Sequence, residues 1–455
     1  MGRFVQFLNP VFLGKLLRRH LALSGWDAVY NNRTDGGKAR LSLLYAVIVQ
    51  AVVGGFSGGI FYTGLLVGYG INIVNISIIT VIPYVASLFS LFTPFIMERF
   101  KRRKVILSIS RIAYYVVNIV GITLLPQVVH SEAGRVTGLI VIVFLSHAIN
   151  FTFTSAYSPW HMHHITENVR MNYFSSTTLV SNVSSSVVLI LASIVTDNLP
   201  EGSQLTLITI LRYASFAVAM LDVYFLQRPK EPEYQVTSSR PNMLDIFRLP
   251  LSNKKFRLTM LIYTLYVYVA NVGSSVINTW LLEDVNTSYL YINIINALYS
   301  VAIALTSGFW NRFMRRKGTF RMMVISLFLH APTFLAYGFV NHGNYLWLMT
   351  LVRISHFILG MSLTFPVNNL IYVNLPKTDQ TNYLSFYTIV GNAAVFFSMM
   401  TGTWIVAGMG ENTLNFLGYG LSSVPVVLIM EGFLLALLAV FVMLVRKRVE
   451  PDEGI

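Results

Sequence analysis

The sequence predicts an all-α, polytopic membrane protein with about twelve transmembrane helices in two six-helix repeats. Three observations predict it: the composition, the spacing of the charges and an internal repeat. Of 455 residues, 55% are hydrophobic and only 11% charged, with a mean hydropathy of +0.61. A soluble chain carries about 25% charged residues, so a solvated surface of ordinary size is excluded, as is disorder. The net charge of +14 would point to a polyanion if it lay on one face of a soluble body. Its distribution therefore decides what it means. The absence of cysteine excludes disulfides, thiolate metal sites and a cysteine nucleophile.

The runs between charges have membrane-span length. Leu41–Met97 contains no formal charge, and further uncharged runs cover Ile112–Ser131, Val136–Thr166, Met171–Thr196, Leu258–Leu282, Val285–Asn311, Met322–Val352, Ile354–Pro376 and Gln380–Gly410. A helix needs about 20 apolar residues to cross the hydrocarbon core, so the first run holds two spans, split at Gly68-Tyr69-Gly70-Ile71-Asn72. Helices are expected near 43–67, 72–97, 105–127, 136–158, 174–196, 205–226, 258–282, 288–310, 319–340, 345–371, 383–408 and 421–445. Runs this long and apolar disfavour a β-barrel, whose strands are short and alternating.

With twelve spans and the amino end inside, 29 of the 33 Lys and Arg residues fall on the inner side. Arg135 is on the outer side, and Arg111, Arg212 and Arg353 lie within spans. So uneven a split follows the positive-inside rule and predicts cytoplasmic termini in a cell membrane. The excess charge is thus topological, facing an anionic inner leaflet, and gives no support to a nucleic-acid partner.

The two halves repeat. Arg99-Phe100-Lys101-Arg102-Arg103-Lys104 recurs as Arg312-Phe313-Met314-Arg315-Arg316-Lys317, Ser146-His147 as Ser355-His356, and Asn172-Tyr173-Phe174-Ser175 as Asn382-Tyr383-Leu384-Ser385, at offsets of 209–213. Six spans repeated in one orientation form a parallel repeat about an axis along the membrane normal. The expected organisation is a cytoplasmic amphipathic segment (1–40), a six-helix bundle (41–227), a cytoplasmic linker (228–257) holding Pro229, Pro232, Pro241 and Pro250, a second bundle (258–446) and a tail (447–455). In the first segment Phe12, Leu16 and Leu17 against Lys15, Arg18 and Arg19 suggest a short helix on the inner leaflet.

The loop Pro94-Phe95-Ile96-Met97-Glu98-Arg99-Phe100-Lys101-Arg102-Arg103-Lys104, together with this repeat, resembles the major facilitator superfamily. The family's loop signature has Gly where Pro94 stands, Asp for Glu98 and Gly for Lys101, and Asn311 replaces the acid in the second copy. The resemblance covers residues 41–446 and implies an alternating-access transporter, without naming a substrate. It implies a cytoplasmic gate at Glu98, Arg99, Arg102 and Arg103, with Arg312, Arg315 and Arg316 in the second copy. An acid at one helix end facing basic residues at the next supports the same reading physically, while Lys104 and Lys317 suit lipid headgroups.

Ionisable groups at membrane depth are functional candidates unless they can snorkel. Arg111 lies roughly 10 Å past Lys104 at 1.5 Å per residue, and Asp222 is similarly close to Arg228, so both are expected to snorkel. Arg212 is ambiguous. Arg353, His356 and His147 fall near the midplane, with Arg353 and His356 sharing one helix face and His147 and Asn150 another. The resemblance implies that the first, fourth, seventh and tenth spans line the pathway, which would place both pairs on it. Arg353 then suits an anionic group and either histidine a coupling proton; alternatively Arg353 is neutralised by Glu431 in the last span. Gln50 in the first span, and Tyr263, Tyr266, Tyr268, Asn271 and Asn278 in the seventh, supply rings and amides suited to an amphipathic or hydroxylated solute, or else to helix packing. Gly54-Gly55 and Gly58-Gly59 favour close packing over a flexible gate.

The expectation is a secondary transporter that binds a small polar or amphipathic solute at the seam between the bundles. Its substrate pathway is Gln50, Asn150, Tyr266, Asn271, Arg353 and His356, with His147 and Glu431 as coupling candidates and proton coupling as an option. A transporter-like sensor or a polytopic enzyme is the alternative; an enzyme should cluster acids or histidines at one membrane boundary, whereas here the midplane polar residues are scattered through different spans. With no phosphate loop, nucleophile elbow or catalytic carboxylate pair apparent, ATP-driven transport by this chain alone is disfavoured. No cofactor or metal is expected, since His161, His163 and His164 lack accompanying ligands apart from Glu167, and function as a monomer is expected.

Overall fold

The computed structural model describes residues 29–97, 100, 102–154, 156–232, 244–376, 380–416 and 418–450. Glu98, Arg99 and the amphipathic segment around Phe12–Arg19 lie outside them. Among the described residues the structure is all-α apart from one small hairpin. In order it forms α1 (Asp35–Ser57), α2 (Gly59–Gly68), α3 (Ile73–Phe92), α4 (Lys104–Val128), α5 (Glu132–Thr154), α6 (Glu167–Asp197) and α7 (Glu201–Gln227). After the linker come α8 (Asp245–Ser252), α9 (Lys254–Val269), α10 (Ile277–Glu283), α11 (Tyr289–Lys317), α12 (Thr319–Tyr337), α13 (Tyr345–Leu370) and α14 (Gln380–Met409). The hairpin pairs β1 (Leu414–Phe416) with β2 (Tyr419–Leu421), and α15 (Ser423–Val445) follows.

Among the described residues ten helices are long and apolar enough to cross a membrane, and α11, bent by 48° near residue 304, makes an eleventh. The span expected at 258–282 is present in two pieces, α9 and α10, with turns over Ala270–Val276. The first span is also interrupted. Gly58 is extended (φ −125, ψ −168) and ends α1, and Gly59 starts α2 at φ +53, a left-handed conformation that favours glycine. The Gly58 pair of glycines therefore breaks the helix; only Gly55, whose added Cβ would meet Val188 at 3.3 Å, acts as a packing glycine. Gly58 and Asn271 stand 213 residues apart, the offset of the repeated basic loop, so the two breaks are equivalent.

Each break is stabilised by a buried charged side chain from the sixth span of its own half. Arg212 on α7 donates from Nη1 to the Ser57 carbonyl (2.6 Å), and also to Thr123 Oγ1 and the Asn118 carbonyl. Glu431 on α15 accepts from the Gly273 N–H at 3.2 Å. Interrupted helices free backbone groups that hydrocarbon cannot solvate, so these contacts replace the lost helical bonds.

Helices pack within each half, α1 against α6 and α7 in the first and α12 against α13 and α15 in the second. Across the halves α3 meets α14 and α6 meets α11. One apolar core includes Phe61, Leu65 and Ile79 of the first half and Val276, Trp280 and Leu428 of the second, all toward the end opposite the basic loops. Toward the basic end the clusters around Leu43, Leu107 and Trp160 and around Phe256 and Tyr383 belong to separate halves. The seam is thus sealed at one end.

Candidate functional site

Arg353 and His356, one turn apart on α13, face a cavity of about 440 Å³ with Tyr266 of α9, Asn296 and Tyr299 of α11, His330 and Phe334 of α12 and Thr364 of α13. A neighbouring cavity of about 250 Å³ shares Arg353, His356, Phe334 and Ala270 and adds Gly273, Ser274, Tyr337 and Glu431. Every lining residue of both comes from the second half. Arg353, His356 and Tyr266, expected at the seam, thus meet in a cavity walled by the second half alone.

Arg353 makes no ion pair with Glu431, although both face the smaller cavity. Its guanidinium lies over the rings of Tyr337 (5.6 Å) and Phe357 (5.8 Å), and its buried Nε has no hydrogen-bond partner among the described residues. Such a cation, held against π faces, keeps donors for a ligand. The His356 ring packs edge-on against His330 (5.0 Å) and Phe334 (5.0 Å), and His330 Nδ1 is bound to the Ser326 carbonyl. Glu431 is buried at the break in the seventh span. Asn271 is at the same break, but its amide turns back to the Val267 carbonyl at 2.7 Å. His330 and Asn296 were not predicted; neither belongs to a motif.

Gln50 and Asn150 lie in a different place. Gln50 Nε2 donates to Asp222 Oδ1 (2.8 Å), Arg111 Nε and Tyr115 OH donate to Asp222 Oδ2 (3.0 and 2.6 Å), and Arg111 Nη1 reaches Asn150 Oδ1 at 3.4 Å. This corrects the expectation that Arg111 and Asp222 snorkel: Asp222 is fully buried and the two form an ion pair inside the first bundle. A carboxylate that finds an arginine and two neutral donors has no need of the interface. Arg212 is likewise fully buried. His147 hydrogen-bonds its own helix at Val143 (2.9 Å) and packs edge-on against Tyr114. Asp222 and Glu431, both buried, stand 209 residues apart, so a buried acid recurs at the equivalent position of each half.

At the basic end, Glu231 of the linker accepts from the backbone N–H groups of Arg103 and Lys104 at the start of α4. The acid facing this helix end thus includes one from the linker, which the loop signature does not reveal. Arg102 lines an adjoining basic cleft with Lys104, His163 and Lys230. In the second copy Arg312 bonds its own helix at Gly308, and Arg315 and Arg316 are exposed.

The model of the Major Facilitator Superfamily matches residues 259–455. Solved structures of the same fold include a mutant of the nucleoside transporter NupG, with 13% identity, 89% of this chain and 99% of that chain covered, and a TM-score of 0.70. A D-xylose-proton symporter follows with 12% identity, 88% and 97% coverage and a TM-score of 0.63. A POT family transporter in complex with a thioalcohol conjugated peptide has 13% identity, 90% and 96% coverage and a TM-score of 0.59. No curated protein matches by sequence. The fold is that of a polytopic helical membrane protein. The second half of the chain, residues 259–455, thus matches the major facilitator superfamily by sequence, and the whole chain shares the fold of these solved transporters.

Proposed function

We propose that the protein moves a small polar or amphipathic solute across the cell membrane by alternating access, with the solute held at the Arg353 cavity. Arg353 is the observation that carries this reading: a cation at membrane depth with, among the described residues, no ion-pair partner and an unpartnered Nε, and with a cavity of about 440 Å³ in front of it. A desolvated charge of this kind is costly unless a ligand compensates it. In this reading 41–227 and 258–446 are the two bundles that rock about the seam, joined by the linker 228–257. With the basic loops cytoplasmic, the seal at the opposite end makes this the inward-facing state. Glu431 and His356, which share the cavity walls, are the coupling candidates the geometry favours; His147, bound to its own helix, is less suited.

The test is uptake and counterflow in proteoliposomes across sugars, nucleosides, organic anions and amino compounds, with Arg353→Ala alongside. The expected result is saturable movement of one class that Arg353→Ala abolishes. Saturable transport indifferent to Arg353→Ala would place the solute elsewhere, and specific binding without movement would make the protein a sensor.

A further inference from the structure

The charges around the smaller cavity say more about the solute. Arg353 and Glu431 both line a space of about 250 Å³, yet they are not joined by an ion pair. The other half shows what closure looks like. Asp222, the acid 209 residues earlier, is bridged by Arg111 at 3.0 Å and filled by Tyr115 and Gln50. Glu431 instead takes a hydrogen bond from the Gly273 N–H, and Arg353 keeps a buried Nε without a partner among the described residues.

Opposite charges that share a cavity wall without touching are left for a ligand to join. A carboxylate alone would compensate Arg353 and leave the acid unpaired; an ammonium alone would do the reverse. Either leaves one desolvated charge, which is the costly arrangement. We infer that the site takes a zwitterion, a small solute carrying one carboxylate and one ammonium group, as in an amino acid. The carboxylate faces Arg353 and the ammonium faces Glu431. The larger cavity continues from the same Arg353, and its rings at Tyr266, Tyr299 and Phe334 suit an apolar side chain beside the charged groups. The inference rests on the proposed reading of the Arg353 cavity as the solute site.

Matched series separate the two. Phenylalanine, 3-phenylpropionate and 2-phenylethylamine share a skeleton and differ in charge, and equivalent trios built on small, aliphatic and polar side chains extend the set. Binding to the purified full-length protein is read by thermal shift and calorimetry. In at least one series the zwitterion should bind about tenfold or more tighter than either singly charged analogue, since each lost charged contact is worth about 1.5–3 kcal/mol. Glu431→Gln, whose amide oxygen still accepts from Gly273, should erase the advantage over the carboxylate. Arg353→Gln should erase the advantage over the amine. If singly charged members bind as well as the zwitterion in every series, or no member binds in any, the inference is overturned whether or not the variants fold. Carboxylate binding lost in Arg353→Gln, with no zwitterion preference, would sink the inference and leave the site reading intact. Binding indifferent to both variants would sink both.

Discussion

The carboxylate of Asp197, at the end of α6, accepts hydrogen bonds from the backbone N–H groups of Tyr289 (3.1 Å) and Leu290 (2.7 Å), at the start of α11. It caps a helix of the other half. Around it Asn293 donates to Ser193 at 2.7 Å, and Phe61 stacks on Tyr289 at 5.3 Å. A carboxylate at a helix N-terminus satisfies orphan donors and meets the positive end of the helix dipole. Asp197 is therefore a latch on the sealed end of the seam.

Replacing Asp197 with Ala removes that cap, worth about 1 kcal/mol, which is roughly a fivefold change in the balance of sealed and open states. The chain has no cysteine, so a single cysteine at Leu65, fully buried in the seal, reports on it without background. Labelling of that cysteine by an impermeant thiol reagent from the side opposite the basic loops should rise about fivefold in Asp197→Ala. Unchanged labelling would show that the latch does not hold the seal.

The Arg111–Asp222 pair makes a second prediction. Asp222 is fully buried and Arg111 nearly so, with side-chain exposures of 0% and 13%. Removing one partner leaves an uncompensated charge, at a cost of about 3–5 kcal/mol, whereas replacing both with apolar residues of similar size is often tolerated. Asp222→Leu and Arg111→Met should each lower the apparent melting temperature of the purified protein more than the double variant does. If the double variant is as unstable as the sum of the singles, the pair is not coupled.

The spans were legible because the bilayer writes its thickness into the spacing of charges, and the fold followed from the repeat. What happens inside a span was not. The breaks at Gly58 and Ala270–Val276 lie within uncharged runs, where a length rule registers no interruption. Depth along a helix assigned Arg111 and Asp222 to the interface, because distance from a helix end says nothing of which neighbour the side chain meets. Arg353 and His356 stand out in the sequence because a charge at the midplane has few innocent explanations, and both line the same cavities. Gln50 and Asn150 are legible as polar residues within spans, but their contacts with Asp222 and Arg111 are not, because spacing along a helix does not name a neighbour on another. The 209-residue relation between Asp222 and Glu431 was in the sequence and would have flagged both as equivalent buried acids.

Acidification should act on the helix turn at Tyr157–Met162, beyond the end of α5. Burial pushes His161 down to about 4, opposed by a hydrogen bond with the Leu226 backbone and aided by nearby His164, itself lowered mainly by burial. A histidine whose folded value lies below its ordinary one takes up its proton first in the opened state. Stability is therefore lost as pH falls from about 6.5 toward 4 and recovered above that window. The apparent melting temperature should fall over this range, and less steeply in His161→Phe. An equal slope in the variant would assign the acid response to other groups.

Gly402 on α14 carries the sharpest steric prediction. A Cβ added there would lie 2.0 Å from the Val272 carbonyl oxygen, within the break of the seventh span, so one backbone or the other must move. The same break is bound by Glu431 at Gly273 and by Ser275, whose Oγ donates to the Met399 carbonyl at 3.3 Å. Displacing Val272 therefore disturbs the backbone that places Glu431 beside Arg353. Gly408, on the same helix, meets nothing within 4 Å and is the control. Gly402→Ala should cost roughly 1–3 kcal/mol of stability, as overpacking does, and should weaken solute binding at the Arg353 cavity. Gly408→Ala should be neutral or slightly stabilising, because alanine favours the helix by about 1 kcal/mol over glycine. If Gly402→Ala is as stable and as active as Gly408→Ala, then α14 does not press on the break and the broken span is not held from that side.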